Sequence, residues 1–370
     1  MLKLSLKGLW AHKRRLAGTF SAVLLGVAFL AGALVLSDTL RASIDGFFTD
    51  SNKGTDVVVR NATLVTDNAG AQRGPVDGSL VDRVRAVDGV AVAEPVVDGF
   101  GQPVGRDGQA VTGNGPRTAG NWVADPELNP YRIAEGRPPR TDDEVVINRG
   151  AAKDGDLHVG DRTTVLTPEP VAVTVVGIAT FGSADAYGGT SFTAFTLAGA
   201  ERHVARQPGK VTRIAVRGVP GVPQDELVRR VRAVLPRGVE AIGGARLTEE
   251  NLAQVDKQFL GLFRTFLTLF AGIALLVATF SIYNTFSIIA AQRARESALL
   301  RAVGASRGQV LASVVTEALL VGLAASAAGL AGGLGIAKLL QGAFAGLGFD
   351  LPATGLVLHA STVAVSVPTG

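Results

Sequence analysis

The side chains able to do chemistry in this chain are few and far apart. Asp142, Asp143 and Glu144 form an acidic run. Carboxylates in that number can hold calcium, but no alternating ligand period surrounds them, so they read as a solvated turn. His12, His158, His203 and His359 are too dispersed for a metal cluster or a Ser-His-acid set. Pro208-Gly209-Lys210-Val211 is the nearest approach to a phosphate-binding loop, and it lacks the upstream glycine of G-x-x-x-x-G-K-[ST]. The absence of cysteine excludes thiol nucleophiles, disulfides and thiolate metal sites within these residues. Asn61-Ala62-Thr63 is a sequon by pattern alone. No catalytic, cofactor or metal residue is assigned, and the chain reads as a non-enzyme.

One segment has a pattern that can act on another protein. Arg293-Ala-Arg-Glu-Ser-Ala-Leu-Leu-Arg-Ala-Val-Gly-Ala-Ser-Arg307 lies between two long apolar runs. Its spacing predicts a short helix over Glu296–Val303, with Leu299, Leu300 and Val303 on one side and Glu296 and Arg301 elsewhere. Gly304 supplies the positive φ of a C-terminal cap, and Ser306 can cap the helix that follows. A short amphipathic helix tethered at both ends is a lever for a cytosolic partner. From the residues alone, an ordinary basic membrane anchor fits as well.

The elements that would hold this segment are membrane spans. Leu16–Leu36 is an uncharged run of 21 residues, about 31 Å as a helix. Ala31-Gly32-Ala33 resembles a signal cleavage site, but the run continues past it through Leu34, Val35 and Leu36, which favours an uncleaved anchor. Thr265–Ala291 has no charge, which is enough to span with tilt. Val310–Leu340 carries only Glu317 and Lys338, and its glycines and alanines suit close helix packing in lipid. A further apolar run begins near Leu356, so the chain is expected to be a fragment ending inside a fourth helix. The charges orient these spans. Residues 1–15 carry +5 and residues 292–309 carry +3 against a whole-chain +4, which leaves the remainder at −4. That places both basic flanks in the cytoplasm and excludes a nucleic-acid stripe.

The organisation expected is therefore a cytoplasmic N-terminus (1–15), a first span (16–36) and a stalk helix (37–50). An extracytoplasmic α+β domain (51–247) and a second stalk helix (248–264) come next, with Thr248 as its cap. A second span (265–291), a cytoplasmic loop (292–309), a third span (310–340), an outer loop (341–358) and the start of a fourth span (359–370) complete it. Within the outer domain, Leu80-Val-Asp-Arg-Val-Arg-Ala-Val87 recurs as Leu227-Val-Arg-Arg-Val-Arg-Ala-Val234, identical at seven of eight positions. Each copy has helical spacing, follows a strand candidate (Asp56–Arg60, Val211–Val216) and precedes another (Val90–Val97, Val239–Ile242). Two such units make a split β-α-β, ferredoxin-like sheet, with a β-rich insert over about 100–200; a chance coincidence of Val/Arg helices is the alternative.

The 293–307 segment resembles the cytoplasmic coupling helix of the FtsX-like/MacB-like ABC transporter permeases, whose pattern approximates R-x-R-E-I-G-L-L-R-A-x-G-A-S; Ser297 and Ala298 stand where Ile and Gly are usual. Glu135-Gly-Arg-Pro-Pro139, Asp143-Glu-Val-Val-Ile-Asn148, Leu157-His-Val-Gly-Asp161 and Val175-Val-Gly-Ile178 are similar, in order, to the extracytoplasmic core domain of that family. The resemblance implies a multi-pass plasma-membrane permease that works by mechanotransmission. Glu296, Leu299, Leu300, Arg301, Gly304, Ala305 and Ser306 would contact a separate cytosolic ATPase, which binds the ATP. A second permease copy or module completes the assembly. The implied work is export or extraction of lipids, lipoproteins, peptides or drugs. The alternative within the family is FtsX-like signalling, with the outer domain controlling a cell-wall hydrolase or sensing a peptide.

Overall fold

The computed structural model describes residues 13–67, 70–111, 115–182, 184–186, 189–255, scattered positions between 261 and 287, 306–346 and 355–366. Along the chain run α1 (Lys13–Ser51), β1 (Val57–Asn61), the hairpin β2 (Leu64–Asp67) and β3 (Gly70–Arg73), α2 (Leu80–Arg85), β4 (Val90–Val96) and β5 (Arg117–Asn121). Next come β6 (Tyr131–Gly136), β7 (Glu144–Asn148), β8 (Arg162–Leu166), β9 (Pro170–Phe181) and β10 (Ser191–Phe195). β11 (Arg213–Gly218), α3 (Gln224–Ala233), β12 (Val239–Gly243), α4 (Gly244–Val255), α5 (Arg307–Gly346) and α6 (Ala360–Ser366) follow. The chain divides into two compact units: residues 43–256 with 344–352, and residues 1–42, 257–343 and 353–370.

In the 43–256 unit, β1, β4, β11 and β12 form an antiparallel sheet in the order β12-β1-β11-β4. With α2 joining β1 to β4 and α3 joining β11 to β12, this is the split β-α-β order. The repeated octapeptides supply the two helices. Leu80, Val81 and Val84 of α2, with Leu227 and Val231 of α3, share a core with Val57, Val59, Ile214 and Val216 on one face of the sheet. The other face packs Val58 and Ile242 on Leu247 of α4, and Val96 and Ala215 on Val123 and Leu128. The period of two along β1 therefore serves two cores at once.

The insert is a second, mixed sheet. Its order is Asp98–Phe100, β5, β10, β7, β9, β8 and Gln102–Pro103, with β6 also on β9. β7 runs parallel to β9 and β10 parallel to β5. Ile147, Val165 and Phe195 join the same core as the repeated helices, which fuses the two sheets.

The other unit is helical. α1 and α5 each contain a stretch long and apolar enough to cross a membrane, Val23–Ser51 and Ala318–Ala343. The described positions between 261 and 287 are helical. Two expected boundaries change. The stalk helix placed from Thr248 starts at Gly244, because the chain leaves β12 directly into the helix with the Gly244 N–H on the Asp56 carbonyl (3.1 Å). α5 continues to Gly346, past the 341 boundary expected for the outer loop.

Candidate functional site

Of the residues read as partner-contacting, Glu296, Leu299, Leu300, Arg301, Gly304 and Ala305 lie outside the described residues. Ser306 is described, and it does what its type suggests. Its Oγ accepts the Gln309 N–H (3.3 Å) while Gln309 Oε1 accepts the Ser306 N–H (3.0 Å). This reciprocal capping box fixes where α5 begins. In the sequence, Ser306 follows directly on residues 293–305.

α5 in turn packs on α1 through small residues. A Cβ on Gly333 would lie 2.7 Å from Ala31 Cβ and 2.9 Å from the Ala28 carbonyl oxygen. One on Gly329 would lie 2.8 Å from Val27 Cβ, and one on Gly32 would lie 3.0 Å from the Gly333 carbonyl oxygen. Backbones in such contact gain dispersion without needing water to drive them together. Three polar contacts tie this unit together: Thr39 Oγ1 donates to the Val35 carbonyl (2.7 Å) and accepts the Val357 N–H (3.1 Å), and Thr362 Oγ1 donates to Asp38 (2.9 Å).

In the 43–256 unit, the scattered motif residues converge. Gly136 takes a φ of +75°, and a Cβ there would stand 2.2 Å from the Val176 carbonyl oxygen. A Cβ on Gly177 would stand 2.5 Å from the Arg137 carbonyl oxygen. β6 and β9 thus meet backbone to backbone, which turns Arg137 toward Glu144 at the start of β7. The guanidinium grips that carboxylate in a fork, at 2.7 Å and 2.5 Å, and the Arg140 N–H adds a third bond at 2.8 Å. The Arg137 fork holds the Glu144 carboxyl down to about 2. Asn148 closes the other end of β7, with its Nδ2 on the Thr190 carbonyl (2.9 Å) and its Oδ1 on the Phe192 N–H (2.8 Å). In Leu157–Asp161, Asp161 accepts the His158 N–H (2.9 Å) and pairs with Arg106 (2.8 Å). These motifs brace a scaffold. Asp142 and Asp143 are likewise spoken for, Asp142 by Arg202 and Thr196 and Asp143 by Thr141. Among the described residues no group of His, Cys, Asp and Glu is arranged to hold a metal.

Sequence reasoning missed a polar cluster where α4 meets the four-stranded sheet. Arg60, the last charged residue of β1, is buried, with Nε on Glu240 (2.9 Å) and Nη2 on Glu250 of α4 (2.5 Å). Arg73 of β3 reaches the same two carboxylates at 3.1 Å and 3.8 Å, and Arg246 reaches Glu250 at 3.3 Å. Burial pushes the Glu250 carboxyl up, and Arg60 with Arg246 and Arg73 brings it below the usual range. The only sequence signal was an arginine inside an apolar strand; its partners are 180 and 190 residues away.

Comparison with known proteins gives two successive family matches. The family model for the MacB-like periplasmic core domain matches residues 16–234, more than half of the chain, and that for the FtsX-like permease C-terminal region matches 268–369. An uncharacterized ABC transporter permease of Mycobacterium tuberculosis is 27% identical over 340 residues, which is 90% of this chain and 37% of that protein. An uncharacterized ABC transporter permease of Methanocaldococcus jannaschii is 28% identical over 133 residues, 36% of this chain and 33% of that protein. The chain thus spans about a third of the length of these curated relatives. Among solved structures, the periplasmic region of MacB from Actinobacillus actinomycetemcomitans is 12% identical at a TM-score of 0.40, covering 54% of this chain and 94% of that one. The extracellular domain of the noncanonic ABC-type transporter YknZ from Gram-positive bacteria is 10% identical at 0.36, covering 51% and 98%.

Proposed function

Because this chain belongs to the family of membrane permeases with a MacB-like periplasmic core domain and an FtsX-like membrane region, we propose that it is the permease subunit of an ABC transporter of the mechanotransmission type. ATP is hydrolysed by a separate cytosolic ATPase, and closure of that partner moves the extracytoplasmic domain for export or extraction of a lipid, lipoprotein, peptide or drug. The chain itself binds no cofactor in this reading, and a second permease copy or module completes the complex. The observation that carries the reading is the order of parts: an apolar helix, a braced α+β domain, and a small-residue helix capped directly behind a basic amphipathic segment. That segment suits an interface with a small apolar core and a charged rim. Leu299 and Leu300 are its anchors, and Glu296, Arg301, Gly304, Ala305 and Ser306 shape it.

The test is co-purification of the full chain with its ATPase, followed by ATPase rates in nanodiscs. Leu299→Asp or Leu300→Asp is expected to abolish the association while insertion persists, and Gly304→Val to keep partial binding but uncouple hydrolysis. If both aspartate variants bind and stimulate like the parent, the coupling assignment is wrong. The cysteine-free background also tests sidedness: a cysteine replacing exposed Val65 should label from outside, and one replacing Ser306 only after permeabilisation.

A further inference from the structure

The base of the extracytoplasmic domain carries Gly54, Gly218, Gly243 and Gly244 close to the two points where α1 and α4 join the sheet. As sequence, glycines at both entrances read as a swivel. The structure gives each of them a different reason. A Cβ on Gly244 would stand 2.0 Å from the Thr55 carbonyl oxygen, one on Gly54 2.3 Å from the Glu127 carbonyl oxygen, and one on Gly243 2.8 Å from Gln224 Oε1. By contrast the turn glycines Gly160, Gly209, Gly221 and Gly238 have nothing within 4 Å. Gly54 and Gly244 are there because backbones touch, and a touching backbone cannot swing; at Gly243 and Gly218 the near atoms are the side chains of Gln224 and Leu227 (2.8 Å each).

Hydrogen bonds close the same point. Asp56 donates its N–H to the Val216 carbonyl (2.9 Å), accepts the Gly244 N–H on its own carbonyl (3.1 Å) and accepts the Gly218 N–H on Oδ2 (2.6 Å). One residue thereby ties the start of β1, the end of β11 and the start of α4. Asn52 Nδ2 donates to Thr248 Oγ1 (3.1 Å), which bridges the turn after α1 to the second turn of α4. Farther along α4, Glu250 is held by Arg60 from β1. The loop pressed on Gly54 is itself clamped, with Asp125 on Arg217 (2.7 Å).

We infer that residues 52–56 and 243–250 form a rigid joint, with no hinge at the base of the domain, so that displacement of α1 and α4 enters the four-stranded sheet together and undamped. Arg60, Asp56 and Glu250 are positioning residues of that joint. Its role in transmission rests on the permease reading above; its rigidity does not. Two measurements on the full chain in nanodiscs separate them. The first is amide hydrogen exchange at Asp56, Gly218 and Gly244. Protection within about tenfold of the sheet-centre amides of Val58 and Ile214 is expected, and exchange faster by about a hundredfold or more would make the base a locally opening hinge and overturn the inference. The second places cysteines at Asn52 and Thr248 and joins them with a short reducible cross-linker. ATP-driven stimulation of the complex is expected to stay within about twofold of the unlinked protein. A loss of stimulation that reductant restores would show that the base must flex, and would overturn the inference. If the unlinked protein shows no response to an ATPase, the permease reading fails, and the exchange data still decide the joint.

Discussion

Val57, Val59, Ile147, Ile214 and Phe195 of the extracytoplasmic domain are 0% exposed, whereas Leu276, Tyr283 and Leu339 of the membrane unit are 70%, 71% and 75% exposed. In the same unit Ala31, Ala325 and Ala337 are 0% exposed. The domain buries its large apolar side chains and leaves most charged ones outside, the paired Arg60 excepted, because water makes apolar contact favourable. The membrane unit buries small residues together with a few large ones (Val27, Val35 and Leu36) and leaves many large ones facing outward, because lipid is as apolar as leucine and close approach distinguishes one helix contact from another. A leucine buried in the domain and one facing outward in the membrane unit should therefore differ in value, and substitutions should reveal it.

The largest contrast is expected for truncation. Leu227 is 1% exposed and packs in the core shared by α3 and the four-stranded sheet. Leu227→Ala should destabilise the domain by about 2–5 kcal/mol, through lost transfer energy plus a cavity. Leu339→Ala, which deletes as many atoms from an exposed position in α5, should stay within about 0.5 kcal/mol. Thermal unfolding in nanodiscs, followed by a reporter in each region, checks both. Equal costs would break the comparison.

The next effect runs the other way. Gly333→Leu adds bulk where a Cβ already meets Ala31 at 2.7 Å, so it should separate α1 from α5 and cost about 1–3 kcal/mol as overpacking. A glycine with open space beside it in the same helix, Gly335, is the control and should tolerate leucine. If Gly335→Leu is as damaging as Gly333→Leu, glycine is needed there for something other than the helix contact.

How much of this was legible in the sequence follows from the range of the interactions. The repeated helices at Leu80 and Leu227 stood out because their periodicity is local, and the strands around them fixed the split β-α-β order. β5 (Arg-Thr-Ala-Gly-Asn) carries almost no strand signal. Ala119, Gly120 and Asn121 are buried only because β10 and Asp98–Phe100 pair on either side. The hairpin β2–β3 also went unread, as did the start of α4 at Gly244, whose N–H is held by the Asp56 carbonyl from far earlier in the chain. The acidic run Asp142–Glu144 reads as a solvated turn by composition, yet Glu144 is locked to Arg137. The candidate site reads as a motif on residues 293–307, and of its residues Ser306 alone falls among those described.

Glu144 sharpens the comparison from the electrostatic side, since among the described residues such charge pairs lie in the extracytoplasmic domain. Its pKa is held to about 2 in the folded state against a usual 4.5, chiefly by the Arg137 hydrogen bonds. A depressed carboxyl stabilises above its unfolded pKa, and that contribution disappears as pH falls through about 4.5 to 2. Wild type should therefore lose domain stability over that window, and Glu144→Gln should start lower at neutral pH and have a flatter acid branch. Parallel acid branches for the two proteins would mean that the fork contributes nothing in solution.

The smallest effect is expected at Ser306, where α5 begins. Its hydroxyl and the Gln309 side chain satisfy one orphan N–H each at the start of α5, and deleting such a cap costs about 0.5–2 kcal/mol. A 40-residue helix packed on α1 absorbs that loss at its first turn, so Ser306→Ala should barely move global unfolding. What should change is local: the amides of Arg307 to Gln309 should exchange faster. Ser306→Asp should restore protection, because a carboxylate both accepts the cap bond and suits the positive end of the helix dipole. The partner readout separates capping from contact. A residue acting as a cap lets aspartate rescue alanine in ATPase co-purification as well as in exchange. If aspartate restores the exchange protection but co-purification stays lost, Ser306 touches the partner directly, and the interface extends past Ala305 into the first turn of α5.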